Sequence, residues 1–154
     1  MTPAPSEPTH RPAPPLLIGW KERLDFPEWG LRRVRVKIDT GAHTSAIGAT
    51  ECELAPVDGR MVARLRLALN RRRPEQIVQV EAPVLRMVHV TNTGGFREER
   101  PLIEAAIRLG PVEKRIRLTI TRREGLRFPM ILGREALAGC FVVDAARIYV
   151  LPKG

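Results

Sequence analysis

The chain contains four aspartates, Asp25, Asp39, Asp58 and Asp144, so a catalytic carboxylate of that type has few places to sit. One of them opens the run Asp39-Thr40-Gly41-Ala42, directly after an alternating stretch from Arg32 to Ile38. A strand that ends on a carboxylate presents it at the rim of a sheet. Gly41 allows a tight turn and a close approach by other backbone, and Thr40 offers a short hydroxyl that can brace the turn. The chemistry open to such a carboxylate is general acid–base work on water or a carbonyl. An Asp-Thr-Gly triplet by itself also arises in ordinary Asx turns. A second feature stands far downstream. Ile131-Leu132-Gly133-Arg134-Glu135-Ala136-Leu137 joins two apolar residues and a glycine to a short helical stretch.

Other chemistries find less support. The three histidines are His10 in the N-terminal tail, His43 in the Asp39 loop and His89 in an expected strand. None forms a pair at helical spacing, as an HExxH zinc site requires, and CxxC is absent. No GxxxxGK[ST] loop is present to cradle nucleotide phosphates. The expectation is therefore no metal and no cofactor. His89 reads as a strand residue with a satisfied ring. Cys52 and Cys140 are too few for a disulfide framework, and two buried thiols in a reducing compartment, the cytoplasm, are expected.

The elements that must position these residues read as strands. Val34, Val36 and Ile38 share one face of the strand that delivers Asp39, and Leu16 to Trp20 can start an earlier one. After the Asp58-Gly59 turn, Met61 to Leu69 alternates, with Arg64 and Arg66 facing outward. Asn70 to Pro74 is a basic loop. Ile77 to Val90 is β-rich and interrupted at Pro83, and Thr91 to Gly95 is a turn or loop. Leu102 to Leu109 and Arg115 to Thr121 flank a hairpin turn at Gly110-Pro111. Pro129 to Leu132 is a short apolar run. Arg134 to Ala138, closed by Gly139, is the one helix expected. Phe141 to Val143 and Arg147 to Leu151 read as final strands. Short strands, closely spaced turns and a single short C-terminal helix predict an all-β closed barrel.

A length of 154 residues supports one domain and leaves no room for two catalytic lobes in one chain. Residues 1–15, rich in proline, read as a disordered tail, and 16–154 as the domain. No apolar run is long enough for a membrane helix. The 26 Lys and Arg against 17 Asp and Glu give a net charge of +9, carried mainly by arginine since only four residues are lysine. That charge attracts anionic partners, including ribosome or RNA. Aromatic residues at 5% provide little for base stacking, which disfavours a sequence-reading RNA module.

From Ile18 to Leu151 the order of pieces resembles the retropepsin-like aspartic protease family, whose single-domain members pair as homodimers. The order is strand, Asp39-Thr40-Gly41-Ala42 loop, strands with a flap, Ile131-Leu132-Gly133-Arg134, short helix and terminal strand. Lys37 to Ile47, taken with Pro129 to Arg134, resembles more narrowly the bacterial RimB group. That group is often labelled an ATP-dependent zinc protease and is associated with the RimK ribosomal-protein glutamate ligase. The resemblance implies an aspartic endopeptidase in which Asp39 from each of two chains meets across a two-fold axis. Two such carboxylates cannot both ionise readily, so the pair shares a proton and activates a water.

Catalysis is thus expected from Asp39, Thr40 and Gly41. Substrate contacts are expected from Ala42, His43, Gly94, Gly95, Arg97, Ile131, Leu132 and Gly133, with a flap at Val90 to Arg97. The implied substrate is an acidic peptide, a ribosomal protein with glutamate-rich extensions. Arg134 is expected to be structural. In retroviral relatives the residue at the position of His43 is often an Asp that pairs with this Arg. Here that ion pair must be missing or re-partnered, with Glu51, Glu53 or a chain terminus as candidates. The rival reading is a non-catalytic, arginine-rich module that holds an anionic protein or rRNA.

Overall fold

The computed structural model describes residues 14–70, 72–91 and 94–152. Most of the expected 1–15 tail, with His10, lies outside the described residues, as does Arg71 of the basic loop. Eleven strands and one short helix follow in chain order: β1 Leu16–Gly19, β2 Lys21–Phe26, β3 Leu31–Ile38, β4 Ser45–Ala49, β5 Glu51–Val57, β6 Arg60–Leu67, β7 Val78–Thr91, β8 Arg97–Leu109, β9 Val112–Arg122, β10 Met130–Leu132, α1 Arg134–Leu137 and β11 Phe141–Asp144. Among the described residues no helix is long and apolar enough to cross a membrane.

A ring of strands encloses the core. Its order is β2-β3-β10-β4-β9-β8, and it closes where Asp25 of β2 pairs with Arg108 of β8. The inward residues are those that alternate along each strand: Leu24 and Phe26, Val34, Val36 and Ile38, Ile103 and Ile107, Ile116, Leu118 and Ile120. This is the all-β closed barrel that the periodicity predicts. β7, β6 and β5 extend the sheet beyond β8. The β5–β6 hairpin turns at Asp58 (φ 49°) and Gly59 (φ 77°), with both central residues left-handed, as a two-residue primed turn demands.

Several details depart from the sequence reading. β7 runs unbroken through Pro83, yet that residue is where its partner changes. Pairing with β6 ends at Pro83 and pairing with β8 begins at Val84, so the missing N–H falls at the handover. β2, β4 and β5 leave weak signals. In β4 all five residues are buried between β10 and β9, so no alternation is available to read. Arg147 to Leu151 is not a strand. Tyr149 takes φ 49°, a left-handed conformation that a ladder cannot accommodate. The segment is instead tied to β2 through Tyr149 N–H donating to the Lys21 carbonyl at 2.8 Å. It is also held by buried Glu22, whose carboxylate accepts the N–H groups of Gly19, Val150 and Leu151. The two cysteines are free, but Cys52 is exposed and Cys140 half-buried, so the expectation of two buried thiols is corrected.

Candidate active site

β10 is the wedge that builds the site. It pairs in parallel with β3, Leu132 beside Ile38, and antiparallel with β4, Ile131 beside Ala46. β3 and β4 are consecutive in the chain, so the 39–44 loop must arch over the end of β10 to join them. Parallel pairing of strands so distant in sequence is unavailable to local propensity and depends on closure of the ring.

Backbone hydrogen bonds hold the arch from below. Asp39 N–H donates to the Leu132 carbonyl at 2.9 Å. Arg134 N–H and Glu135 N–H, at the start of α1, donate to the carbonyls of Ala42 (2.8 Å) and His43 (3.0 Å). The loop therefore caps the helix while the helix holds the loop. Buried Ser45 accepts the Gly133 N–H on Oγ at 3.0 Å. A β-carbon on Gly133 would lie 2.8 Å from the Thr44 carbonyl carbon and 2.9 Å from the carbonyl oxygens of Ala42 and His43. Glycine is required there by backbone packing. Asp39 itself is half-buried, and its Oδ1 accepts the Gly41 N–H at 3.0 Å. Thr40 and Gly41 are exposed on the outer side of the arch.

Arg134 has a different partner from those expected. Its Nη1 donates to the Thr40 carbonyl at 2.9 Å, while Glu51 pairs with Arg66 at 3.5 Å. The acid near the loop stands one residue further on. Glu135 lies 3.4 Å from His43 Nε2 and takes a bidentate fork from Arg117, with Nε at 2.8 Å from Oε1. The Arg117 hydrogen bond holds the Glu135 carboxyl below its ordinary 4.5, against the opposing effect of partial burial, and the nearby His43 adds to the lowering.

Beside the arch lies a cavity of about 410 Å³. Ala42 and His43 of the loop and Ile131 of β10 line it. Leu132 and Gly133 do not; they are buried beneath the arch and act through backbone. Gly94, Gly95 and Arg97 sit exposed at the far end of the β7–β8 hairpin and do not line the cavity; Asn92 and Thr93 of the expected flap lie outside the described residues.

The opposite wall holds residues that, Arg100 apart, the sequence reading passed over or assigned elsewhere. Arg86 and His89 come from β7, Arg100 from β8, and Arg117 and Thr119 from β9. Arg100 is paired with Glu98 at 2.9 Å. Arg86 is exposed and has no ion-pair partner among the described residues. His89 is exposed on β7, where its ring is open to solvent. Outward positions on alternating strands were the only available signal, and many outward arginines face bulk solvent instead. A half-buried carboxylate on a braced loop, beside a cationic cleft, can activate water against a peptide carbonyl once a second acid is supplied.

The sequence matches the RimB-like family, described as retropepsin-like aspartic endopeptidase RimB, over residues 17–154. It is 30% identical over 130 residues to a probable alpha-L-glutamate ligase of Desulfotalea psychrophila, covering 84% of this chain and 28% of that protein. A second, from Shewanella pealeana, is 28% identical over 135 residues, covering 88% and 30%. The chain thus spans under a third of the length of these relatives. A crystal structure of a Legionella pneumophila protein of unknown function superposes with a TM-score of 0.73 at 21% identity, covering 88% of this chain and 97% of that one, a likeness of fold. By its match over nearly the whole described chain, the protein belongs to the RimB-like family of retropepsin-like aspartic endopeptidases.

Proposed function

We propose that the chain is an aspartic endopeptidase that works as a homodimer, with Asp39 of each protomer forming a dyad around one water. The carrying observation is a single half-buried aspartate, held by the Leu132 carbonyl at the end of β3, on a loop whose outer face (Thr40, Gly41) is open to a second copy. One carboxylate per protomer is half of an acid–base pair. In the dimer, the ionised member takes a proton from water, and the protonated member donates to the scissile carbonyl oxygen as the tetrahedral intermediate forms.

The substrate we infer is a glutamate-rich extension on a ribosomal protein. Arg86 in the cleft wall, with no ion-pair partner among the described residues, favours a carboxylate. The longer relatives are named probable alpha-L-glutamate ligases, which supports a setting of glutamate addition in which a peptidase would trim. The two free cysteines suit the cytoplasm.

Asp39→Asn keeps the shape of the side chain and removes its charge. The expected result is loss of cleavage of an oligoglutamate-tailed peptide by about a thousandfold or more, with an unchanged circular dichroism spectrum. Full activity in that variant would remove the dyad. Salt-sensitive binding of the peptide without cleavage by the wild-type protein would favour the non-catalytic module.

A further inference from the structure

A second cavity, of about 630 Å³, opens far from the arch, at the start of β3. Along β3 it lies roughly 20 Å from Asp39, taking about 3.3 Å per residue. Its wall gathers Arg23, Arg32, Arg33 and Arg108. Two departures from regular backbone place these side chains. Leu24 pairs with Val34 but Phe26 pairs with Leu31, so Asp25 faces both Arg32 and Arg33 in a β-bulge. Regular alternation would send one of two neighbours inward; the bulge leaves both exposed.

Arg33 takes φ 55° to do so, and its N–H is held by Asp25 Oδ1 at 2.9 Å. Tyr149, across the cavity, takes φ 49°. Of the three non-glycine residues with positive φ among the described residues, two line this pocket, and the third, Asp58, sits in an ordinary hairpin turn. Backbone strain gathers at binding sites, where it fixes geometry.

The charges are prepared for an anion. Arg23 is stacked over the Tyr149 ring, its Cζ 3.8 Å from the centroid, which fixes a planar fork. Arg32 and Arg33 have no ion-pair partner among the described residues, while Arg108 is tied to Glu113 at 3.2 Å. The two carboxylates in the wall are already engaged by backbone N–H groups, Glu22 by three and Asp25 by that of Arg33. Pro111 and Leu151 supply an apolar floor.

We propose that this pocket binds a run of acidic side chains in a polypeptide, at a site separate from the Asp39 cleft. Paired guanidinium forks above an apolar floor suit carboxylates on aliphatic stems. A nucleic acid is a poorer fit, because Tyr149 is the sole ring among the described lining residues and Arg23 covers it. The proposal needs no chemistry from Asp39, so it stands or falls apart from the peptidase reading.

The test is fluorescence anisotropy with a labelled, C-terminally amidated hexaglutamate, using full-length protein carrying Asp39→Asn so that the probe stays intact. Arg32→Gln and Arg33→Gly should each weaken binding by about tenfold. Arg33→Gly should also unfold at the same or a higher temperature, since glycine suits φ 55°. Arg60→Ser, an exposed arginine at the β5–β6 turn that lines neither cavity, should change affinity by less than about twofold, the size of effect expected of a charge outside the interface. Unchanged affinity in both pocket variants, an equal or larger loss in Arg60→Ser, or no binding of hexaglutamate would overturn the proposal. Equal binding of labelled hexaglutamine, or tighter Arg32-dependent binding of a labelled hexathymidylate, would overturn it as well.

Discussion

Asp39 is one of four aspartates, and what sets it apart is its support. The Leu132 carbonyl fixes its backbone, and the Thr40 carbonyl is fixed by Arg134. The Glu135 clamp then ties the loop to β9, through His43 on one side and Arg117 on the other. Because the folded-state pKa of Glu135 lies below 4.5, its contribution to stability is fully present above that value and is lost as pH falls through the lowered one. Glu135→Gln should therefore lower the urea midpoint at neutral pH, and the gap from wild type should close only below pH 4.5. Parallel denaturation series of the two proteins across pH 3 to 8 would read this; a gap that stays constant down to pH 3 would count against an ionic clamp. Asp39, Gly133 and Arg134 were legible as residues because their types and order are restrictive. The acid's shift to Glu135 was not, since adjacent positions on α1 differ only in which side of the helix they face.

At the scale of elements, β10 and the β7–β8 hairpin divide the work. Three residues of β10, paired on both edges, bring Gly133 under the loop. The hairpin is made of two long strands whose joining segment carries Phe96, a large apolar residue that is 73% exposed. A flap needs such a residue, to be buried only when substrate or a second flap covers it. Phe96→Ser should lower kcat/KM by about tenfold, the cost of losing roughly 1.5 kcal/mol of apolar burial in the closed complex. The unfolding temperature should stay unchanged. Steady-state kinetics beside a thermal melt would separate these effects, and a variant with unaltered kinetics would exclude the hairpin end as a flap. The strands β3, β6 and β9 were legible because each alternates with one buried face. β4 was not, because its burial on both faces erases the period.

For the whole molecule, the proposed dyad, with one carboxylate from each chain, would make assembly part of the chemistry. At concentrations below the dimer dissociation constant, the initial rate should rise with the square of protein concentration and become linear above it. Rates measured across a dilution series, matched to sedimentation velocity, would show this. A rate that stays linear through concentrations where the protein sediments as a monomer would falsify the shared site. The +9 charge acts at this scale too. Arginines face a cavity at two places on the barrel, the cleft wall and the pocket at the start of β3, and composition alone could not separate them.

Sequence alone determined the class of fold, the aspartate and the glycine-bearing strand that must meet, because period-two alternation and a few restrictive residue types act over short distances. Only the tertiary structure decided which strands lie beside β10, which arginines face a cavity, and why Glu22 is buried. Each of those depends on closure of the ring, which joins residues far apart in the chain, and local preference has no term for such contacts.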